Sequence, residues 1–146
     1  MSHLDWPGAL RDIKMIKDHL HSSSKSVSIM GFCMGGALTF ASLSSIEGWK
    51  SGAAFYGVPD LTVFKLENIK APLLAHFGEL DPLKGFSDVG TAKKLNEEVK
   101  KSNYKYPVMV NVWKGLNHAF CNQDLQYFNQ EGRDEAFHMT RVFMNL

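Results

Sequence analysis

The sequence predicts an α/β fold in which a short parallel sheet is flanked by helices. Three observations predict it. Short apolar runs alternate with segments whose apolar residues fall three to four apart, the pattern of βαβ units. The first run, VSIMGF, leads through Gly-x-Cys-x-Gly straight into a helix-like segment. The ends of later runs carry an acid and a histidine, and the carboxyl ends of parallel strands are where such sheets place ligands.

The elements follow in order. Leu10, Ile13, Ile16 and Leu20 mark a helix over Gly8–Leu20, with Asp5 and Pro7 as start signals and Ser22, Ser23 and Ser24 as its break. Val27–Phe32 is a short buried strand, and GALTFASLSS a helix following the glycines. Gly52–Gly57 and Pro72–Gly78 are the second and third strands. From about Ser87 a helix turns Ala92, Leu95 and Val99 inward and ends in lysines, as the macrodipole prefers. Pro107–Trp113 is a fourth strand, and the tail from Glu131 a last helix with Ala136, Phe137, Thr140 and Phe143 at helical spacing. Residues 1–146 are expected to form a single domain.

Composition narrows the function. Hydrophobic residues make up 45% and charged residues 21%, which suits a packed globular chain. The net charge of +1 favours neither nucleic acid nor an anionic membrane surface. Lys93, Lys94, Lys100 and Lys101 interleave with Glu97 and Glu98 as a solvated helix face. No apolar run approaches the roughly 20 residues of a membrane span, and the N-terminus reads as no secretory signal. Cys33 and Cys121 match no zinc pattern and no disulfide framework. A cytoplasmic location is the expectation.

The chemistry-bearing residues stand just beyond the strands. Cys33 follows the first, Asp81 in GELD the third, and His118 in KGLNH the fourth. Nucleophile, acid, base is the chain order of α/β-hydrolases. A thiol needs a base to become the thiolate, and the base needs an acid to hold its tautomer. Gly31 and Gly35 permit a sharp turn at Cys33, at a helix N-terminus that favours the thiolate. The N–H of Met34 is then one oxyanion donor. Each residue also has a plainer reading: Cys33 as a small buried apolar group, Asp81 as a turn former, His118 as a loop residue bonded to backbone. Asp60 competes with Asp81 for the acid, whereas Asp88 reads as a helix cap. His76, inside an apolar strand, reads as a satisfied core histidine. His3, His19, His21 and His138 read as solvated. Cys121 reads as packing, with a redox partnership with Cys33 as the alternative.

The motifs DWPGALRDI, GFCMGGAL, AAFYGVP, APLLAHFGELDPL and NHAFCN span nearly the whole chain and resemble the dienelactone hydrolase family of α/β-hydrolases. A cysteine in place of serine at the strand–helix turn is that family's distinctive feature. The resemblance implies Cys33 as nucleophile, Asp81 and His118 as its triad partners, and Met34 as oxyanion donor. Tyr56 matches a tyrosine lining the family's pocket, and Phe32 and Phe120 are expected beside it. It implies hydrolysis of a small ester or lactone through a thioester, with no metal or other cofactor. Amides are less suited, because the thiolate leaves more readily than the amine. Dienelactone-specific members carry an arginine shortly after the triad histidine, where this chain has Ala119, Phe120, Cys121 and Asn122.

Relative to the family, the chain reads as the C-terminal part of the fold, without the N-terminal strands and the second oxyanion donor they bring. The Val27–Phe32 strand is therefore expected at an open sheet edge, which invites a partner chain or a homodimer. The alternative function that follows is a non-catalytic remnant or interaction module working through that edge.

Overall fold

The computed structural model describes residues 4–145, so His3 lies outside the described residues. The element order is α1 (Trp6–His21), β1 (Ile29–Phe32), α2 (Met34–Ser45), β2 (Gly52–Phe55), a single 3₁₀ turn (Leu66–Asn68), β3 (Leu73–Gly78), α3 (Val89–Lys101), β4 (Val108–Trp113) and α4 (Gln130–Met144). The strands form one parallel sheet in sequential order, β1-β2-β3-β4. The α/β class read from the alternation is the class observed.

Local signals explain the boundaries. The Asp5 carboxylate accepts the Gly8 N–H at 3.0 Å and caps α1, and Pro7 sits in the first turn, where its missing N–H costs nothing. Asp88 caps α3 by accepting the Gly90 N–H at 2.9 Å. Lys100 and Lys101 close that helix on its exposed face.

Each strand alternates between two cores. On one side of the sheet, Ala54, Ala75 and Phe77 meet Phe40 and Leu43 of α2 and Leu95 of α3, with Leu10 and Ile13 of α1 behind them. On the other, Ala53 and Phe55 meet Ala136 and Met144 of α4. Among the described residues, no helix is long and apolar enough to cross a membrane.

The first strand is shorter and more exposed than expected. Val27 and Ser28 already run beside residues 50–51, but the ladder starts where the Ile29 N–H donates to the Ser51 carbonyl. Among the described residues, β1 pairs only with β2, so it forms an edge of the sheet. Met30 is 47% and Phe32 37% exposed as a result.

Candidate active site

Three loops at the carboxyl ends of β1, β3 and β4 converge on one point. Cys33 ends β1 and caps α2, with its N–H donating to the Phe55 carbonyl at 2.9 Å. Its φ of 54° is a strained value for a side-chain-bearing residue. The turn is possible because residue 31 is glycine: a Cβ there would run into the backbone carbonyl of Gly35. Gly35 itself has open space around its Cβ position. The close approach of β1 and α2 thus depends on glycine at residue 31, whereas residue 35 contributes the backbone that is approached.

His118 reaches the site by a similar approach. A Cβ on Gly78 would lie 2.5 Å from the Leu116 carbonyl oxygen and 2.7 Å from that of Asn117. Glycine at the end of β3 therefore lets the loop after β4 settle against it. The His118 ring then lies between sulfur and carboxylate, with Nε2 3.3 Å from Cys33 Sγ and Nδ1 2.7 Å from Asp81 Oδ2. Asp81 is buried, and its Oδ1 accepts the Leu83 N–H at 3.0 Å. That second bond orients the carboxylate. Tyr56 packs edge-on against the His118 ring, with centroids 5.1 Å apart.

The structure thus brings the His118 ring within hydrogen-bond reach of both Cys33 and Asp81. It does not bring Asp60 there: that exposed carboxylate accepts the Thr62 N–H and hydroxyl. His76 is buried and satisfied. Trp113 Nε1 donates to its Nδ1 at 3.1 Å, so Nε2–H donates to Thr140 Oγ1, also at 3.1 Å. Burial pushes this imidazole down to about 4. His19, His21 and His138 are exposed.

A hollow of about 320 Å³ opens beside Cys33, lined by Phe32, Tyr56, Ala119, Cys121, Asn122 and Phe137. Phe32 and Tyr56 stand where the pocket residues were expected. Phe120 does not line it. Its side chain is fully buried behind the wall, 5.5 Å from the Tyr56 ring and 6.4 Å from Trp113. Ala119, at φ 56°, turns the chain so that residues 119 and 121 face the hollow and residue 120 the core. Cys33, Tyr56 and Ala119 are three of the four non-glycine residues with positive φ among those described, and strain of this kind gathers at functional sites. A second hollow reaches Cys33 past Met34, Leu83, Lys84 and Phe86.

One contact was not legible in the sequence. The Ser87 hydroxyl, fully buried, lies 3.2 Å from His118 Nδ1. Serine before a helix-capping Asp88 is an ordinary loop residue in sequence, and nothing in its spacing separates it from Ser102.

Comparison with known proteins gives the site its context. The chain is 31% identical over 114 residues to a provisionally assigned carboxymethylenebutenolidase of Aquifex aeolicus, an alignment covering 76% of this chain and 46% of that protein. It is 32% identical over 134 residues to protein usf of Aquifex pyrophilus, covering 90% of this chain and 55% of that one. The chain therefore spans about half the length of these curated relatives. Its fold superposes with a TM-score of 0.79 on a provisionally assigned dienelactone hydrolase of Klebsiella pneumoniae, at 18% identity, over 93% of this chain and 60% of that one. A dienelactone hydrolase-like promiscuous phosphotriesterase from metagenomic libraries superposes at 0.64, with 17% identity, over 82% of this chain and 51% of that one. The dienelactone hydrolase family model matches residues 3–146. With this match over nearly its full length, the chain belongs to the dienelactone hydrolase family.

Proposed function

We propose that the chain is a cysteine hydrolase of small esters or lactones. The observation that carries this reading is the continuous line from Cys33 Sγ through His118 Nε2 and Nδ1 to Asp81 Oδ2, with steps of 3.3 and 2.7 Å. A nucleophile within reach of a base that a third group orients is the arrangement covalent acyl transfer needs.

Each residue has a defined task. His118 Nε2 takes the proton from Cys33 Sγ as the sulfur forms a bond to the substrate carbonyl carbon. Negative charge moves to the carbonyl oxygen. The first amides of α2 have no carbonyl ahead of them in the helix, so the Met34 N–H is free to donate to that oxygen. Collapse breaks the acyl carbon–oxygen bond, and His118 returns its proton to the departing alcohol oxygen. The thioester on Cys33 then meets a water that His118 deprotonates. A second collapse breaks the carbon–sulfur bond, releases the acid and restores the thiol. The Asp81 carboxylate accepts Nδ1–H and holds the ring so that Nε2 faces the sulfur.

The test is turnover of a small activated ester by the chain and by Cys33→Ala. Turnover that disappears in the variant supports the reading, and turnover that survives it excludes Cys33 as the nucleophile.

The edge position of β1 favours a second reading, that two copies of the chain pair through this strand. Met30 and Phe32 are exposed along an edge whose outer side pairs with no strand among the described residues. Light scattering after gel filtration distinguishes the cases. A dimer that Met30→Lys disperses supports pairing, and a monomer at high concentration contradicts it.

A further inference from the structure

We infer that the hollow beside Cys33 receives an uncharged, apolar acyl group, so that the chain prefers neutral esters to esters whose acyl chain ends in a carboxylate. The inference rests on the cysteine-hydrolase reading above.

The hollow, at about 320 Å³, lies within the size range of small-ligand pockets. Phe32, Tyr56 and Phe137 form its aromatic walls, and none of its lining side chains is an acid or a basic group. Apart from the Cys33 nucleophile itself, the two that could ionise, Cys121 and Tyr56, stay neutral at neutral pH. Burial pushes the Cys121 thiol up to about 12, and burial first, then the neighbouring Cys121, raises the Tyr56 phenol well beyond its usual range. The charge of Arg133 reaches Cys121, but its guanidinium meets Asp134 at 2.8 Å and lies 5.1 Å over the Phe128 ring. The Asn122 carboxamide accepts the Asp124 N–H at 3.0 Å through Oδ1 and offers a carboxylate only its neutral NH2, a donor without charge. A carboxylate entering this hollow would lose its hydration and meet no free cation. Lys84 lines the second hollow, which also reaches Cys33. With the acyl group seated in the first hollow, the second is left to the departing alcohol, and Lys84 then stands on that side of Cys33.

The experiment compares kcat/KM of the intact chain for 4-nitrophenyl hexanoate and for mono(4-nitrophenyl) adipate, which share a chain length and a leaving group. Acylation of Cys33 is followed by intact mass in the same reactions, so the preference is read even where deacylation is slow. The hexanoate ester is expected to react at least about tenfold faster. Asn122→Lys, at the exposed rim, is expected to narrow that ratio at least about threefold by raising the adipate rate. Equal or reversed preference, with Cys33→Ala inert to both esters, overturns this inference and leaves the hydrolase reading standing. Reaction that persists in Cys33→Ala, or a Cys33 that neither ester acylates, contradicts both.

A separate observation assigns Ser87 as a positioning residue for His118. Asp81 and Ser87 belong to one turn between β3 and α3, drawn together where the Ser87 N–H donates to the Leu83 carbonyl and the Leu83 N–H to Asp81. Both present an oxygen to His118 Nδ1, at 2.7 Å from Asp81 and 3.2 Å from Ser87. Two acceptors on one N–H fix the ring plane as well as the tautomer. Removing the hydroxyl loosens the base without touching the substrate. Ser87→Ala is expected to lower kcat about 3- to 10-fold at unchanged KM, the scale of one hydrogen bond, and Ser87→Thr to recover most of the loss. Unchanged kcat with only a lower melting temperature would make Ser87 a packing residue and overturn the assignment.

Discussion

His118 Nε2 lies 3.3 Å from Cys33 Sγ, across 85 residues of sequence, while Nδ1 of the same ring meets Asp81 Oδ2 at 2.7 Å. One imidazole thus joins the loops of β1, β3 and β4. His118→Ala is expected to reduce kcat/KM for an activated ester about 10²–10⁴-fold, the usual contribution of a positioned general base. Asp81→Asn is expected to fall in the same range, because an amide facing Nδ1 favours the wrong tautomer. Far-ultraviolet circular dichroism of both variants should match the parent. A loss below about threefold in either would remove that residue from the machinery.

The turn at Cys33 makes a separate prediction about residue 31. A Cβ there collides with the backbone of Gly35, which no side-chain rotation relieves. Gly31→Ala is expected to lower stability by about 2–4 kcal/mol in urea unfolding, within the tail reserved for backbone clashes and overpacking. Gly115→Ala is the control. Its φ of +72° is strained for alanine, but the space is open, so about 1 kcal/mol is expected. Equal costs would mean that the β1–α2 turn relaxes freely.

His76 sets a pH dependence of stability. Burial holds its folded value at about 4, against about 6.5 in the unfolded chain. The folded imidazole is therefore neutral, and below about pH 6.5 the unfolded chain binds a proton that the fold refuses. Its contribution is complete above pH 6.5 and is lost as pH falls toward 4, by about 3 kcal/mol in all. His76→Gln should unfold with a flatter pH dependence between 7 and 4.5 than the parent. Parallel profiles would show that His76 does not carry this term.

The two thiols should differ in reactivity. Cys121, pushed up to about 12 by burial, is almost wholly protonated near neutrality. Cys33 has His118 in contact. Iodoacetamide at pH 7.5 is expected to modify Cys33 first, as read by peptide mass, and His118→Ala to slow that modification. Labelling of Cys121 ahead of Cys33 would contradict activation of the Cys33 thiol by His118.

Cys33, Asp81 and His118 were legible because each follows a recognisable strand, and parallel strands deliver their ends to one side of a sheet. His76 was legible as a core residue because its neighbours are all apolar. Phe120 was expected at the pocket, but its fully buried ring packs behind the wall against Tyr56 and Trp113, a placement set by the loop around the positive-φ Ala119 rather than by any sequence period. Val27 and Ser28 lie outside β1 although the Lys50 N–H donates to the Val27 carbonyl, because the regular exchange of bonds with β2 begins only at Ile29. Ser87 was invisible, since its role comes from a contact 31 residues away in sequence. Periodicity reports which face a residue takes, and it is silent about which loop that face will meet.

The most direct test is to trap the intermediate. The chain is mixed with a slowly hydrolysed activated ester, quenched in acid within the first turnover, and examined by intact and peptide mass. One acyl group is expected on Cys33, released by neutral hydroxylamine as a thioester is, with no adduct in Cys33→Ala. An acyl group on any other residue, or turnover with no acyl group on Cys33, would contradict it.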